Sequence, residues 1–427
     1  MSVLARALAL LLFVFLVVGG TVTAIGVGRV RRTYDLPFPP IAGARATDPA
    51  EVARGGRLFR TACLGCHAGP GGGRPTGARV LGAPEFLGEI WAPDVTRDRR
   101  EGIAQWTDGE LARLLRNGVG RDGHYAAAMP RFGRLADPEV AALLGFLRDS
   151  DDPLVAPGGA PAAAVPRSRL SLIGMLVLAY SVGIDTAGDP VVAAPERAAT
   201  PAYGRYLAAS VYACVECHTE GYAPLRDKLR SPSLLGGGLD LRTPRSEPIY
   251  SANLTADAET GLPPEVDAAA LGRILSTGIG ARGLPLRPPM PVFRFIGDPE
   301  HRDGDVHVDL DVRALLAFLR SVPPVHRRTP DGPPREAPRP DSPPERLFAT
   351  LGCASCHGDG APGRADLVRA SRLSSVDAIA AAIRHPEASH PASQMPTYAS
   401  VLDGPAAARL AAWIRSSFSA PGGGETR

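Results

Sequence analysis

Large aromatic side chains are scarce in this sequence: Phe, Trp and Tyr together make up 6% of 427 residues. Small cores with so few rings need something else to bury, and a large flat cofactor would serve. A surplus of either charge is also missing. Lys and Arg number 47 against 44 Asp and Glu, a formal net charge of +3. That balance gives no reason to expect a nucleic-acid partner, which calls for a strongly basic face. Cysteine is limited to six and methionine to five. What the chain has in excess is Pro (43) and Gly (48), the mark of long irregular loops and linkers. Its length, with 44% apolar residues, allows two or three domains with separate small cores.

The six cysteines fall as three pairs, Cys63/Cys66, Cys214/Cys217 and Cys353/Cys356, and each pair runs directly into a histidine: His67, His218 and His357. The resulting CLGCH, CVECH and CASCH are haem-attachment motifs. Two thiols three residues apart add across the vinyl groups of one porphyrin edge, and the adjacent imidazole binds the iron from below. Tetrahedral zinc would need more Cys or His ligands per site than each segment supplies. The cofactor expected is therefore three covalently bound haem c groups.

The surrounding pattern repeats with the motifs. A helix-like stretch leads into each one, over Glu51–His67, Ala202–His218 and Pro344–His357, with an aromatic ahead of the first cysteine: Phe59, Tyr206 and Phe348. Each copy later reaches a Met-Pro pair with an aromatic two residues on, at Met129-Pro130, Met290-Pro291 and Met395-Pro396. A helix precedes each Met, and in the first copy Thr107 and Glu110 form a capping-box pattern. Each copy closes on an apolar helix ending at Arg148, Arg320 or Arg415, with Phe146, Phe318 and Trp413 in matching places. Apolar residues there recur at helical spacing. The first two copies share a further element, Ala92-Pro-Asp-Val-Thr96 with Gly102 and Ser251-Ala-Asn-Leu-Thr255 with Gly261, which the third lacks. The expected fold is all-α: three tandem domains at 45–152, 191–322 and 343–420. They are joined by a linker at 153–190 and a proline-rich spacer at 323–342.

A haem that only passes electrons has its iron closed on both faces, and a thioether on the second face raises its potential relative to a second His. Met1 is the initiator and Met175 sits in an apolar stretch, so one Met-Pro methionine remains per repeat. The expected iron ligands are His67 with Met129, His218 with Met290, and His357 with Met395. His124 and His390 lie close enough to Met129 and Met395 to replace them, and rank below them. His301, His307, His326 and His385 read as surface residues. Prolines 70, 224 and 362 are candidates to orient the iron-binding histidines through a backbone carbonyl.

Two apolar segments remain. Residues 1–28 read as a secretory signal, with a small-residue cleavage point at Ala24, or as an uncleaved membrane anchor, since Ala7–Gly28 is long enough to cross a bilayer. Arg29, Arg31 and Arg32 would by themselves keep their side cytoplasmic. Haem attachment to CxxCH outside the cytoplasm overrides that cue. Residues 170–184 are short for a span and long for a linker; they form either a helix packed on the second domain or a membrane-surface or partner-docking helix.

From about residue 45 to 418 the repeats resemble class I cytochrome c domains. Three of them behind one export segment resemble the triheme cytochrome c subunit of membrane-bound periplasmic dehydrogenases acting on alcohols, gluconate or aldehydes. Thr96, Gly102 and the following WTDGELARLLRNGVGRDG are similar to that family's first domain. Asn253-Leu-Thr255, Glu259-Thr-Gly261 and Met290-Pro291 are similar to its second. The resemblance implies that the two cysteines, His and Met of each repeat hold haem. It further implies electron transfer from a quinoprotein or flavoprotein dehydrogenase partner to membrane quinone or another acceptor, on the periplasmic side of the bacterial inner membrane. An insertion at Gly297–Val308, the proline-rich linkers and the apolar 170–184 segment depart from the family pattern. Two other functions fit the motifs: a haem enzyme with one open iron, and a free-standing carrier or redox sensor.

Overall fold

The computed structural model describes residues 3–39, 41, 45–69, 73–80, 85–126, 129–130, 132–157, 164–182, 184, 186, 193–221, 225–241, 249–294, 310–328, 336–359, 363–390 and 393–419. The 297–308 insertion, His301, His307 and the three candidate prolines 70, 224 and 362 lie outside these residues. The described chain is mostly helical, as the sequence predicts, with two short antiparallel ribbons. β1 (Ala78–Arg79) pairs with β3 (Trp91–Ala92), and β2 (Gly88–Glu89) pairs with β4 (Arg169–Leu170).

Helix α1 (Val3–Arg31) comes first, and its stretch Leu10–Arg31 is long and apolar enough to cross a membrane. Around the first motif lie α2 (Pro49–Ala62), α3 (Leu64–His67), α4 (Asp108–Asn117) and α5 (Asp137–Asp149). Helix α6 (Leu172–Val177) follows and runs into a π-helical turn, Leu178–Val182. Around the second motif lie α7 (Pro201–Tyr206), a π-helical turn at Leu207–Val211, α8 (Cys214–His218), α9 (Leu225–Lys228), α10 (Ala268–Thr277) and α11 (Leu310–Ser321). Around the third lie α12 (Pro344–Thr350), α13 (Cys353–His357), α14 (Arg364–Leu373), α15 (Val376–Arg384), α16 (Pro386–Ser389) and α17 (Gly404–Phe418).

Local chemistry sets these boundaries. Asp48 caps α2 by accepting from the Ala50 and Glu51 amides, with Pro49 at the first helical position. Thr107 and Glu110 close the capping box at the start of α4, bonding each other's amides at 3.1 and 2.7 Å. Gly118 ends that helix in the left-handed region, φ 68°.

The helix leading into each of the first two motifs packs on its closing helix through a glycine. A Cβ on Gly55 would come within 1.9 Å of the Ala142 carbonyl, and one on Gly204 within 1.9 Å of the Ala314 carbonyl. Only a hydrogen at these positions lets the backbones meet. Phe59 then packs on Phe146 in a tilted pair at 5.4 Å between centroids, and Phe348 on Trp413 likewise at 5.3 Å. The second group differs. Its π-helical turn shifts the register, and the Tyr206 hydroxyl turns away to accept from the Ala136 amide at the start of α5, 3.0 Å. Side chains around the first and second motifs accordingly share one buried cluster. The third motif has its own cluster, joined by Ile279.

Candidate functional sites

Each attachment motif sits on a single helical turn, and none of its cysteines is in a disulfide. Cys63, Cys214 and Cys353 pack against core side chains, and burial pushes each thiol up to about 12, helped by the thiol of its pair. Burial also raises Cys66, Cys217 and Cys356. An apolar hollow lies beside Cys63, walled by Leu58, Ala62, Phe132, Leu135 and Leu143.

The three histidines share one arrangement. Nδ1 of His67 bonds the Pro93 carbonyl at 2.7 Å, Nδ1 of His218 the Ala252 carbonyl at 2.8 Å, and Nδ1 of His357 the Gly363 carbonyl at 2.8 Å. A carbonyl accepts only, so Nδ1 carries the proton and Nε2 keeps its lone pair for a metal. Burial lowers all three imidazoles below the ordinary value, which holds them neutral. These acceptors correct the expectation placed on prolines 70, 224 and 362: other residues supply the carbonyls. The residues present fit a covalently held haem, with an apolar wall, paired thiols and an oriented imidazole. Among the described residues, no three His, Cys, Asp or Glu side chains gather as a direct metal cage.

The element shared by the first two copies is the latch that places those carbonyls. Within it, Asp94 accepts from the Thr96 amide at 2.7 Å and Asn253 from the Thr255 amide at 2.9 Å. The chain then folds back. The Ile103 amide reaches the Thr96 carbonyl and the Leu262 amide the Thr255 carbonyl, both at 2.8 Å. A Cβ on Gly102 or Gly261 would meet those same threonine carbonyls at 2.2 Å. The arginine ending each closing helix locks the fold-back: Arg148 donates to Ile103 and Arg320 to Leu262, at 2.9 and 2.8 Å. Sequence reading found every one of these residues as a repeat but not their joint role. The third copy lacks the element, and its histidine takes the nearby Gly363 instead.

Met129 and Met290 are half-buried against the first cluster and Met395 against the second. The first two loops match bond for bond: Phe132 donates to the Leu115 carbonyl and Phe293 to the Leu275 carbonyl, both 2.8 Å. Met175 lies apart from the motifs, half-buried in α6. His124, His385 and His390 are exposed, the first two beside Asp122 and Glu387. His326 lies 3.5 Å from Asp257.

Comparison with known proteins agrees with the motifs. A family model described as cytochrome c oxidase, cbb3-type, subunit III matches residues 50–147 and 340–414. The cytochrome c subunit of a quinone-dependent alcohol dehydrogenase of Gluconobacter oxydans is 29% identical over 42% of this chain and 37% of its own length. The fructose dehydrogenase cytochrome subunit of Gluconobacter japonicus is 28% identical over 64% of this chain and 52% of its own. A diheme cytochrome c-type protein of Cereibacter sphaeroides is 27% identical over 64% and 86%. The chain is thus similar to c-type cytochromes over residues 50–147 and 340–414. Its resemblance to the cytochrome c subunits of dehydrogenases is met by the first two of these relatives, of whose length the chain spans about half or less.

Proposed function

We propose that this chain holds three haem c groups, one per motif, and passes electrons between a dehydrogenase partner and membrane quinone or another respiratory acceptor. The thiols of Cys63 and Cys66, Cys214 and Cys217, and Cys353 and Cys356 make the attachments. Haem supplies one-electron chemistry; the chain holds its iron through His67 and Met129, His218 and Met290, and His357 and Met395. The carrying observation is the threefold Nδ1–carbonyl bond, which leaves Nε2 free at every motif. The relatives' names support a dehydrogenase as donor; a quinoprotein or flavoprotein is the type we propose.

The same reading divides the chain into three cytochrome domains, 45–152, 191–322 and 343–420, on the periplasmic side of the bacterial inner membrane. Contacts of α1 support a retained anchor. The Tyr180 hydroxyl donates to the Val22 carbonyl at 2.6 Å, and the Arg29 guanidinium lies 5.3 Å from the Tyr180 ring centroid. Phe86, in the turn just before β2, and Leu172, Ile173 and Tyr180 of the 170–184 segment add exposed apolar surface. Arg167 and Arg169 flank it, as an interfacial segment requires. The test is the haem count of denatured, reduced protein in alkaline pyridine: three per chain is expected, and fewer overturns the reading.

A further inference from the structure

Arg294 follows Phe293 in the second methionine loop, yet its hydrogen bonds reach the third. The side chain is 5% exposed. Its Nε donates to the Ser393 carbonyl at 2.6 Å, Nη1 to the Thr397 hydroxyl at 2.8 Å and the Glu387 carboxylate at 3.3 Å, and Nη2 to the Met395 carbonyl. The fork therefore grips the backbone at Met395 and on its amino-terminal side, and a side chain two residues beyond it. A buried guanidinium is costly unless its donors are satisfied, so this geometry is held firmly once formed.

Two further bonds bind the same loop to the second group. The Thr397 amide donates to the Thr277 carbonyl at the end of α10, 2.8 Å, and Gln394 accepts from the Val292 amide at 3.0 Å. The Nε2 of Gln394 faces Gly65 inside the first attachment motif, where a Cβ would stand 3.2 Å from it. In the first two loops the aromatic's amide ties back to the helix of its own group, through Leu115 and Leu275. The third loop is tied to its own group through side chains, Thr397 to Glu387 at 2.8 Å and Tyr398 to the Leu351 carbonyl at 3.0 Å, and takes its backbone-amide support from outside.

We infer that Arg294 is the positioning residue for Met395: it sets the third thioether from the second domain, and Gln394 joins that loop to the other two haem sites. The inference rests on the proposed haem ligation. Met395 coordinates only while the second and third domains are docked, so the third potential reports that docking. Arg294 acts through Met395 and touches no reacting atom.

The test uses full-length holoprotein. Wild type must first give three haems in pyridine; a lower count would strike the haem reading itself and not Arg294. In Arg294→Gln, about a third of the near-infrared sulfur-to-iron absorption should be lost and one of three potentials should fall, with all haems still attached. Arg294→Lys keeps the charge but loses the fork. Loss of the same band in this variant assigns the effect to positioning, whereas a normal band and potential would assign it to charge alone and overturn the inference. If Arg294→Gln does not fold, Thr397→Val with Gln394→Ala removes two contacts of the loop from half-buried sites. Unchanged bands and potentials in either folded set overturn the proposal.

Discussion

Replacing one thioether tests one iron. Met129, Met290 and Met395 stand apart from the cysteines, so changing each singly to Ala should leave three haems attached and lower one potential. The shift falls within the roughly 0.8 V range that axial ligands command. Three unchanged potentials in potentiometric titration would remove that methionine from the ligand set. Two half-buried carboxylates set an acid limit on the latches. Asp98 accepts from the Glu101 and Arg100 amides, and Asp257 from the Thr260 hydroxyl and amide; these bonds hold both carboxyls below the usual range. Arg100 and Arg74 face the first and His326 the second. A depressed folded value means that the stabilisation is present above the ordinary carboxylate range and lost as pH falls through the folded value. Amide exchange at Glu101 and Thr260 should therefore stay slow from neutral to mildly acid pH and quicken only below that range. The methionines were legible in the sequence as a repeat; Asp98 and Asp257 were not singled out there. The carbonyls of Pro93, Ala252 and Gly363 were not legible, because a backbone acceptor leaves no mark on residue identity.

Helix contacts carry the next set of consequences. Gly55→Ala and Gly204→Ala each force a methyl into a carbonyl of the closing helix. Overpacking of this kind costs about 1–3 kcal/mol, to be read as a lower midpoint in thermal unfolding; unchanged midpoints would mean that the helices slide apart freely. Thr107→Ala should cost about 1 kcal/mol through loss of the α4 cap. The cap and the closing helices could be read directly, since caps and apolar periodicity are local properties. Tyr206 was grouped with Phe59 and Phe348 only as an aromatic ahead of the first cysteine, and it lies eight residues back where they lie four and five. The π-helical turn at Leu207–Val211 inserts a residue's worth of rotation that no spacing rule detects.

At the scale of the whole molecule, the tandem pattern showed three similar groups but not their contacts. The shared cluster of the first two and the grip of Arg294 on the third depend on surfaces that vary between repeats. The N-terminal segment was likewise left between signal and anchor, and the anchor proposed above from its contact with Tyr180 has a direct test. Cleavage after Ala24 would detach Val22 from Tyr180. Intact mass of protein extracted from membranes should therefore include residues 1–24, and alkaline carbonate should not release it. A mature chain beginning at Ile25 would overturn the anchor.

The histidine bonds differ in reach: 26 residues separate His67 from its acceptor, 34 separate His218, and 6 separate His357. By the logarithmic cost of loop closure, the shortest of these is easier to close by roughly 1.5 kcal/mol than the longest. During folding the third ring is thus steadied early, by its immediate neighbours, while the first two wait for distant chain to return. Its methionine has the opposite schedule, since Arg294 must arrive from another group. The last haem pocket is half finished first and wholly finished last.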